Sequence, residues 1–329
     1  MANKITVGIL MGGPSSEHEI SLLSGKAFLR HLNRNRYHIH AIKISRKGGW
    51  LFDSKPIKAA DAIKKLDVAL LALHGEFGED GRMQAFLEHH SLPYSGSGVV
   101  ASALGMDKLI SRSIFKANGL FVPRIAGFSK EEVDRDFREV RKKIFRLVGT
   151  GPWIVKPRSR GSSVGVGMAK TADILLSAMR KALRFENNIL VEEYIQGIEV
   201  TVPILEKGGR TEVLPLVEIR PRKSAFFDYE EKYSGENGAE EIIPARVSKS
   251  LLVRAAVAGL DAYNFLGCRG YARADIIIAK GRPYILEMNT LPGMTPVSLF
   301  PKAAKVAGID FPELLDILIL KALQKHKRG

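Results

Sequence analysis

The sharpest chemical feature of the chain is a pair of carboxylates set opposite each other by a tight hairpin. Tyr271-Ala-Arg-Ala-Asp-Ile-Ile-Ile-Ala279 runs into Lys280-Gly281-Arg282 and then Pro283-Tyr-Ile-Leu-Glu-Met-Asn289. A turn over 280–282 pairs Ala279 with Pro283, and therefore Asp275 with Glu287 and Arg273 with Asn289. Residues two apart share a face, so Arg273, Asp275, Glu287 and Asn289 line one side. Ala274, Ile276, Leu286 and Met288 line the other. Opposed carboxylates, roughly 5 Å apart at Cβ, repel unless a cation lies between them. Oxygen donors without His or Cys suit hard Mg²⁺, which completes its shell with substrate phosphates. The alternative is a solvated face on which Arg273 alone neutralises the acids.

Two further segments carry chemistry. In Thr290-Leu-Pro-Gly-Met-Thr-Pro-Val-Ser-Leu299, a Gly293 N–H beside a metal and an arginine is an oxyanion site; it is otherwise a loop before a helix starting near Ser298. In Ile154-Val-Lys156-Pro-Arg158-Ser-Arg160-Gly161-Ser162-Ser163-Val-Gly165-Val-Gly167, a lysine at a strand end precedes small residues whose N–H groups can cradle phosphates. It is not a Walker A loop, and a plain Gly/Ser loop reads equally well. Glu17, His74, Lys108, Glu192, Glu193, Glu199 and Lys232-Tyr233 stand at strand ends, helix starts or polar loops. Singly, each has an ordinary alternative, such as a first-turn carboxylate favoured by the helix dipole or a solvated charge.

The elements that must position these residues alternate early in the chain. Lys4–Met11, Tyr37–Ile44 and Val68–Leu73 read as strands, and Glu17–Leu32 and Met83–His90 as helices, with Ser15 or Ser16 as N-cap. This order predicts an open parallel α/β sheet, with Gly12-Gly13 and His74-Gly75 at strand ends where such sheets bind ligands. Gly96-Ser-Gly98 matches a dinucleotide fingerprint only loosely and is discounted. Helices over Lys108–Asn118 and Lys130–Val148, a strand Trp153–Lys156, a helix Ala172–Phe185 and a strand Ile189–Glu193 follow. From Glu199 the chain reads as antiparallel, with Lys207-Gly208-Gly209 as a turn, a polar loop over Lys223–Glu241, a helix Ser248–Phe265 and two final helices. Asp310 and Glu313 make a capping-box pattern before the last helix.

Composition excludes whole classes. At 329 residues with 45% apolar and 26% charged side chains, the chain builds two or three packed domains rather than a disordered or fibrous protein. The single Cys268 excludes an internal disulfide framework. No run approaches the ~18 apolar residues of a membrane helix, and no signal-peptide cleavage pattern follows Met11, so a cytoplasmic protein without membrane contact is expected. The net charge of +15 divides into +3 over 1–107, +8 over 108–200 and +4 over 201–329. Such a field suits polyanions, including a nucleotide triphosphate. A nucleic-acid-binding protein is the competing class, yet beyond the short tail Lys325–Arg328 no basic cluster carries interleaved aromatics.

Six blocks form a recognisable pattern: Gly12-Gly-Pro-Ser-Ser-Glu17-His-Glu-Ile-Ser21; Leu73-His74-Gly75 with Gly78-Glu-Asp-Gly81; Pro93-Tyr-Ser-Gly-Ser-Gly98 through Met106-Asp107-Lys108; Val155-Lys156-Pro157 with Gly161–Gly165; Tyr229-Glu-Glu-Lys232-Tyr233; and Glu287-Met-Asn289-Thr-Leu-Pro-Gly293-Met-Thr295. In this order, from about Thr6 to the last helix, the chain resembles the D-alanine–D-alanine ligases of the ATP-grasp superfamily. Another ATP-grasp carboxylate-amine ligase is the neighbouring alternative.

The resemblance implies an N-terminal α/β substrate domain (1–107), a small central α+β domain (108–199) and a C-terminal domain (200–329), the last two forming a two-part ATP-grasp fold. It implies that Lys108, Lys156, Gly161, Ser163 and Lys232 hold the phosphates of ATP. Glu192, Ile195 and Glu199 hold adenine and ribose, and Asp275, Glu287 and Asn289 hold two Mg²⁺, or Mn²⁺ in their place. Glu17 and His74 take the first D-alanine, and Ser298 and Leu299 the second. Arg273 and Gly293 meet the tetrahedral oxyanion, while Ser162 and Tyr233 link Glu17 to the polar loop. The implied activity joins two D-alanines through an acylphosphate for peptidoglycan precursors. A tyrosine at 233 goes with D-alanine as second substrate; the expected partners are small molecules and no nucleic acid, with monomer and homodimer both open.

Overall fold

The computed structural model describes residues 4–161, 164–221 and 239–326, which build three sheets in succession. The first contains β1 (Ile5–Gly12), β2 (Tyr37–Ile44), β3 (Trp50–Phe52), β4 (Lys55–Ile57) and β5 (Val68–Leu71), in the order β4-β3-β2-β1-β5. β1 runs parallel to β2 and β5. Its residues from Val7 onward are buried whichever face they take, as helices covering both sides of a parallel sheet require. β3 and β4 are antiparallel, so the expected all-parallel sheet carries a hairpin at one edge. Strands of three residues are too short to show a period in sequence.

The helices α1 (His18–His31), α2 (Ala59–Ile63) and α3 (Arg82–His89) belong to this first body. They are followed by α4 (Val99–Met106) and α5 (Lys108–Ala117). Gly98, from the discounted glycine fingerprint, is the N-cap of α4. Between α4 and α5, Asp107 takes φ −84° and ψ 98°, and its carboxylate accepts the N–H groups of Leu109 and Ile110. The helix therefore restarts with Lys108 at its positive end.

The second sheet joins β6 (Ile125–Ser129), β7 (Trp153–Pro157), β8 (Gly167–Ala169) and β9 (Asn188–Glu193) in the order β6-β9-β7-β8, every neighbour antiparallel. It is covered by α6 (Lys130–Arg135), α7 (Phe137–Leu147) and α8 (Ala172–Leu183). The single helix expected over Lys130–Val148 is thus two. Ser129 and Glu132 form a capping box at the start of α6, while Asp136, at φ −154°, accepts from Arg138 and Glu139 and starts α7.

The third sheet takes β10 (Ile198–Lys207), β11 (Arg210–Val213), β12 (Val217–Arg220), β13 (Glu240–Ile242), β14 (Tyr271–Ala279) and β15 (Arg282–Asn289). Its order is β13-β12-β10-β14-β15, with β11 beside β10. α9 (Lys249–Phe265) lies on it, and Gly259 allows the approach: a Cβ there would stand 2.8 Å from Val202. The helices cross between bodies. Phe115 of α5 shares a core with Val202, Ile276 and Met288. α10 (Leu299–Val306) and α11 (Phe311–His326) return to the first sheet, where Leu315, Leu318 and Ile319 join Val7 and Leu70. Asp310 accepts the Glu313 N–H at 2.8 Å before α11, but the Glu313 carboxylate turns to Lys207.

The β14–β15 hairpin corrects one detail and keeps its consequence. Its turn has two residues, Lys280 and Gly281, both at positive φ, so Ala279 pairs with Arg282 rather than Pro283. A bulge between Asp275 and Ile276 then absorbs one extra residue of β15, Leu286. Beyond it Asp275 faces Glu287 and Arg273 faces Asn289, as pairing arithmetic anticipates. The bulge reverses Leu286, which lines the cleft described below, while Ile285 takes the core position expected for it.

Candidate active site

A cleft of about 540 Å³ opens between the second and third sheets. Lys108, Lys156, Gly161, Glu192, Ile195, Glu199, Asp275 and Glu287 all line it. Lys156 is next to last in β7, and Glu192, opposite Ile154 on β9, sits diagonally across the ladder. Lys156 Nζ is 3.0 Å from Glu192 Oε1. Burial, then Arg112, pushes the Lys156 ammonium down to about 8 despite Glu192 and Glu287. For Glu192, burial favours the neutral acid, but Arg112 and Lys156 overcome it and hold its pKa below the usual carboxylate range.

Across the cleft, Lys108 Nζ is 3.2 Å from Glu287 Oε2 and donates to the Arg160 carbonyl at 2.9 Å. Arg273 grips Asp275 through Nε and Nη2, each at 2.8 Å, and Asn289 Nδ2 donates to Asp275 Oδ2 at 2.9 Å. Burial opposes the Arg273 charge; Asp275, with Glu287 and Glu79, outweighs it and raises the pKa. The opposed acids are therefore divided between two cations, Arg273 for Asp275 and Lys108 for Glu287. The donor set fits a hard divalent ion: three oxygen-bearing side chains on one hairpin face, beside two lysines able to hold phosphates.

The first body meets the glycine loop that lines one edge of the cleft. Glu17 and His74 sit beyond the carboxyl ends of β1 and β5, and one ligand atom from each of Glu17, His74 and Glu79 falls within 4.8 Å of the others. His74 is buried and fixed by its neighbours: Ser15 Oγ donates to its carbonyl at 2.6 Å, and Ser24 Oγ lies 2.9 Å from Nε2. The glycine loop reaches this corner, since a Cβ on Gly161 would stand 2.8 Å from Glu17 Oε1. Arg160 pairs with Glu76 at 2.9 Å, and Arg158 with Asp107 at 2.6 Å. Gly293 lies against Ser298, whose hydroxyl accepts the Thr295 N–H at 3.1 Å, and Leu299 opens α10.

Ser162, Ser163, Lys232 and Tyr233 lie outside the described residues. Four residues in or beside the site went unassigned from sequence. Glu79 accepts the Gly75 N–H at 2.9 Å. Glu218 and Arg246 line the far wall, where the Arg246 N–H donates to Glu218 at 2.9 Å. Arg112, wholly buried, pairs with Glu192. Its signal is the helical stripe Lys108, Ser111, Arg112, Phe115, a buried face carrying two cations where apolar residues are the rule.

Three sheets, with a lysine-walled cleft between the second and third, define the class: a nucleotide-binding ligase of the ATP-grasp type. The sequence model described as D-ala D-ala ligase C-terminus matches residues 114–320, and that described as D-ala D-ala ligase N-terminus matches 6–61 and 52–97. A D-alanine–D-alanine ligase of Carboxydothermus hydrogenoformans is 38% identical over 326 residues, spanning 98% of this chain and 99% of that protein. One of Syntrophobacter fumaroxidans is 40% identical over 323 residues, 98% of both. Among solved structures, the Bacillus anthracis D-alanine–D-alanine ligase complexed with ATP superposes with a TM-score of 0.80 at 34% identity, covering 98% of this chain and 99% of that one. The VanG D-Ala:D-Ser ligase of Enterococcus faecalis gives 0.83 at 30% identity, covering 97% and 100%. The chain belongs to the D-alanine–D-alanine ligase family. Among the described residues, no helix is long and apolar enough to cross a membrane.

Proposed function

We propose that this chain joins two D-alanine molecules with cleavage of ATP, in the cytoplasm, to make the dipeptide for peptidoglycan precursors. The observation that carries the reading is the Asp275–Glu287 opposition beside Lys108 and Lys156, within a chain aligned over 98% of its length with D-alanine–D-alanine ligases.

The three sequence blocks 1–107, 108–199 and 200–329 divide the work. Glu17 pairs with the ammonium of the first D-alanine, with His74 beside it. The carboxylate oxygen of that first D-alanine attacks the γ-phosphorus and ADP leaves, because a free carboxylate is too poor an electrophile for an amine. Lys108, Lys156 and Lys232 balance charge on the phosphates, with the Gly161–Ser163 loop over them, so catalysis is mainly positioning plus electrostatics. Adenine and ribose lie against Glu192, Ile195 and Glu199. Asp275, Glu287 and Asn289 would hold two Mg²⁺, or Mn²⁺, which when bound neutralise the triphosphate. The second amine, positioned by Ser298 and Leu299, attacks the acyl carbon, and phosphate departs. Arg273 and the Gly293 N–H meet the oxyanion, and Ser162 with Tyr233 joins the Glu17 corner to the segment that carries Lys232. A homodimer is the proposed assembly.

The test is phosphate release from ATP and Mg²⁺ with D-alanine, L-alanine, D-serine and D-lactate offered singly and in pairs. D-alanine alone should support turnover and yield the dipeptide. Activity only when D-serine is added would move the reading to the specificity named for the VanG ligase; no turnover with D-alanine in any pair would end it.

A further inference from the structure

Arg112, in the buried stripe of α5, reaches strands of two sheets at once. Its Nε donates to the Leu286 carbonyl on β15 at 2.7 Å, and its Nη1 pairs with Glu192 on β9. The side chain has no solvent exposure, and Nη2 has no hydrogen-bond partner among the described residues. A guanidinium enclosed this completely is costly unless it is well paired, and a well-packed apolar side chain could fill the same space at least as stably. Fold stability is therefore a weak reason for an arginine here.

The two contacts say what else it does. Leu286 is the extra residue of the β15 bulge, immediately before Glu287. A bulge interrupts the ladder and re-aims the neighbouring side chain; here the guanidinium takes up the carbonyl of the bulged residue. Glu192, the other contact, is also the carboxylate that holds Lys156 Nζ at 3.0 Å. One planar, rigid group thus ties β15, which presents Glu287, to β9, whose Glu192 holds Lys156 of neighbouring β7, and β15 and β9 belong to different sheets. A lysine, with a single flexible ammonium, lacks the fork needed to hold both directions.

We infer that Arg112 is a positioning residue for the metal–nucleotide complex: it fixes the span between the Glu287 carboxylate and the Lys156 ammonium, so that both engage one triphosphate. The inference rests on the proposed use of ATP and a divalent ion at this cleft. Glu17 and His74 lie in the first body, whereas both Arg112 contacts are on β15 and β9, so Arg112 acts on nucleotide and metal rather than on the first amino acid.

The experiment compares wild type, Arg112→Lys and Arg112→Met. Mg-ATP affinity is measured by calorimetry without D-alanine, and steady-state constants by phosphate release. Arg112→Met should weaken Mg-ATP binding and raise both the ATP KM and the half-saturating Mg²⁺ concentration at least 10-fold, with the D-alanine KM at saturating Mg-ATP within twofold. Arg112→Lys, which keeps the charge, should fall between and preserve folding if Arg112→Met does not. A packing role alone predicts a lower Tm with unchanged affinity, or with the ATP and D-alanine constants moving together; either result overturns the inference. Absence of D-alanine turnover in wild type would defeat the proposed function, while the calorimetric comparison would still decide the role of Arg112.

Discussion

Arg160, in the glycine loop of the second body, forms an ion pair with Glu76, in the loop after β5, at 2.9 Å between Nη1 and Oε1. The contact joins the glycine loop to the corner where Glu17 and His74 meet. The side chains are 32% and 26% exposed, so the pair is worth at most ~1 kcal/mol, about fivefold in an affinity. Replacing either by Ala should raise the KM of ATP and of D-alanine by about two- to fivefold, less at high salt. In a double-mutant cycle the combined change should be smaller than the product of the single ones; strict additivity would show that the loops are uncoupled.

Glu287→Gln should lower kcat/KM for ATP by on the order of 100-fold or more, because it removes one anionic oxygen donor from the hairpin face. Thermal unfolding should move by only a few degrees. Lys108 loses its 3.2 Å partner, but the repulsion across the Asp275–Glu287 pair is relieved. A variant retaining wild-type turnover would remove the hairpin from the chemistry.

The Lys156 ammonium, pushed down to about 8, should be visible in the pH dependence. In the free enzyme it is protonated below that value and loses its charge above it, so kcat/KM for ATP at saturating D-alanine should fall as pH rises through about 8. Bound triphosphate favours the charged form, so kcat should stay level to higher pH. Stability has the opposite sign: the unfolded lysine keeps its proton up to about 10.4, so this group makes folding more favourable as pH rises from about 8 towards that value. An ATP kcat/KM flat from pH 7 to 9.5 would contradict the assignment.

Gly259→Ala should destabilise the protein by about 1–3 kcal/mol, since a Cβ only 2.8 Å from Val202 forces α9 away from β10. Denaturant unfolding reads this directly, and an unchanged midpoint would mean that the helix shifts without cost.

Legibility from sequence followed how local the determinant was. The first parallel strands were readable because continuous apolar runs end at glycine turns, and the Asp275–Glu287 opposition because alternation and one turn suffice to derive it. The turn itself was misjudged by one residue, and a bulge of one residue restored the register, a compensation that pattern alone does not reveal. The division at Asp136 was visible in principle, since Asp136 and Glu139 have capping-box spacing, but the charged, amphipathic run through it concealed the restart. Arg112 escaped because its partners, Glu192 and Leu286, lie far away in sequence, and Glu79 because Glu17, the third member of its corner, comes from another loop.

The return of the last helix to the first sheet has a consequence for biosynthesis. Leu315, Leu318 and Ile319 of α11 complete the core around Val7 and Leu70, and Phe311 packs 6.2 Å from Phe28. A nascent chain emerging from the ribosome therefore carries its first sheet with one apolar flank bare until α11 has followed it out. Of the three sheets, the one made earliest waits for a helix made after the other two.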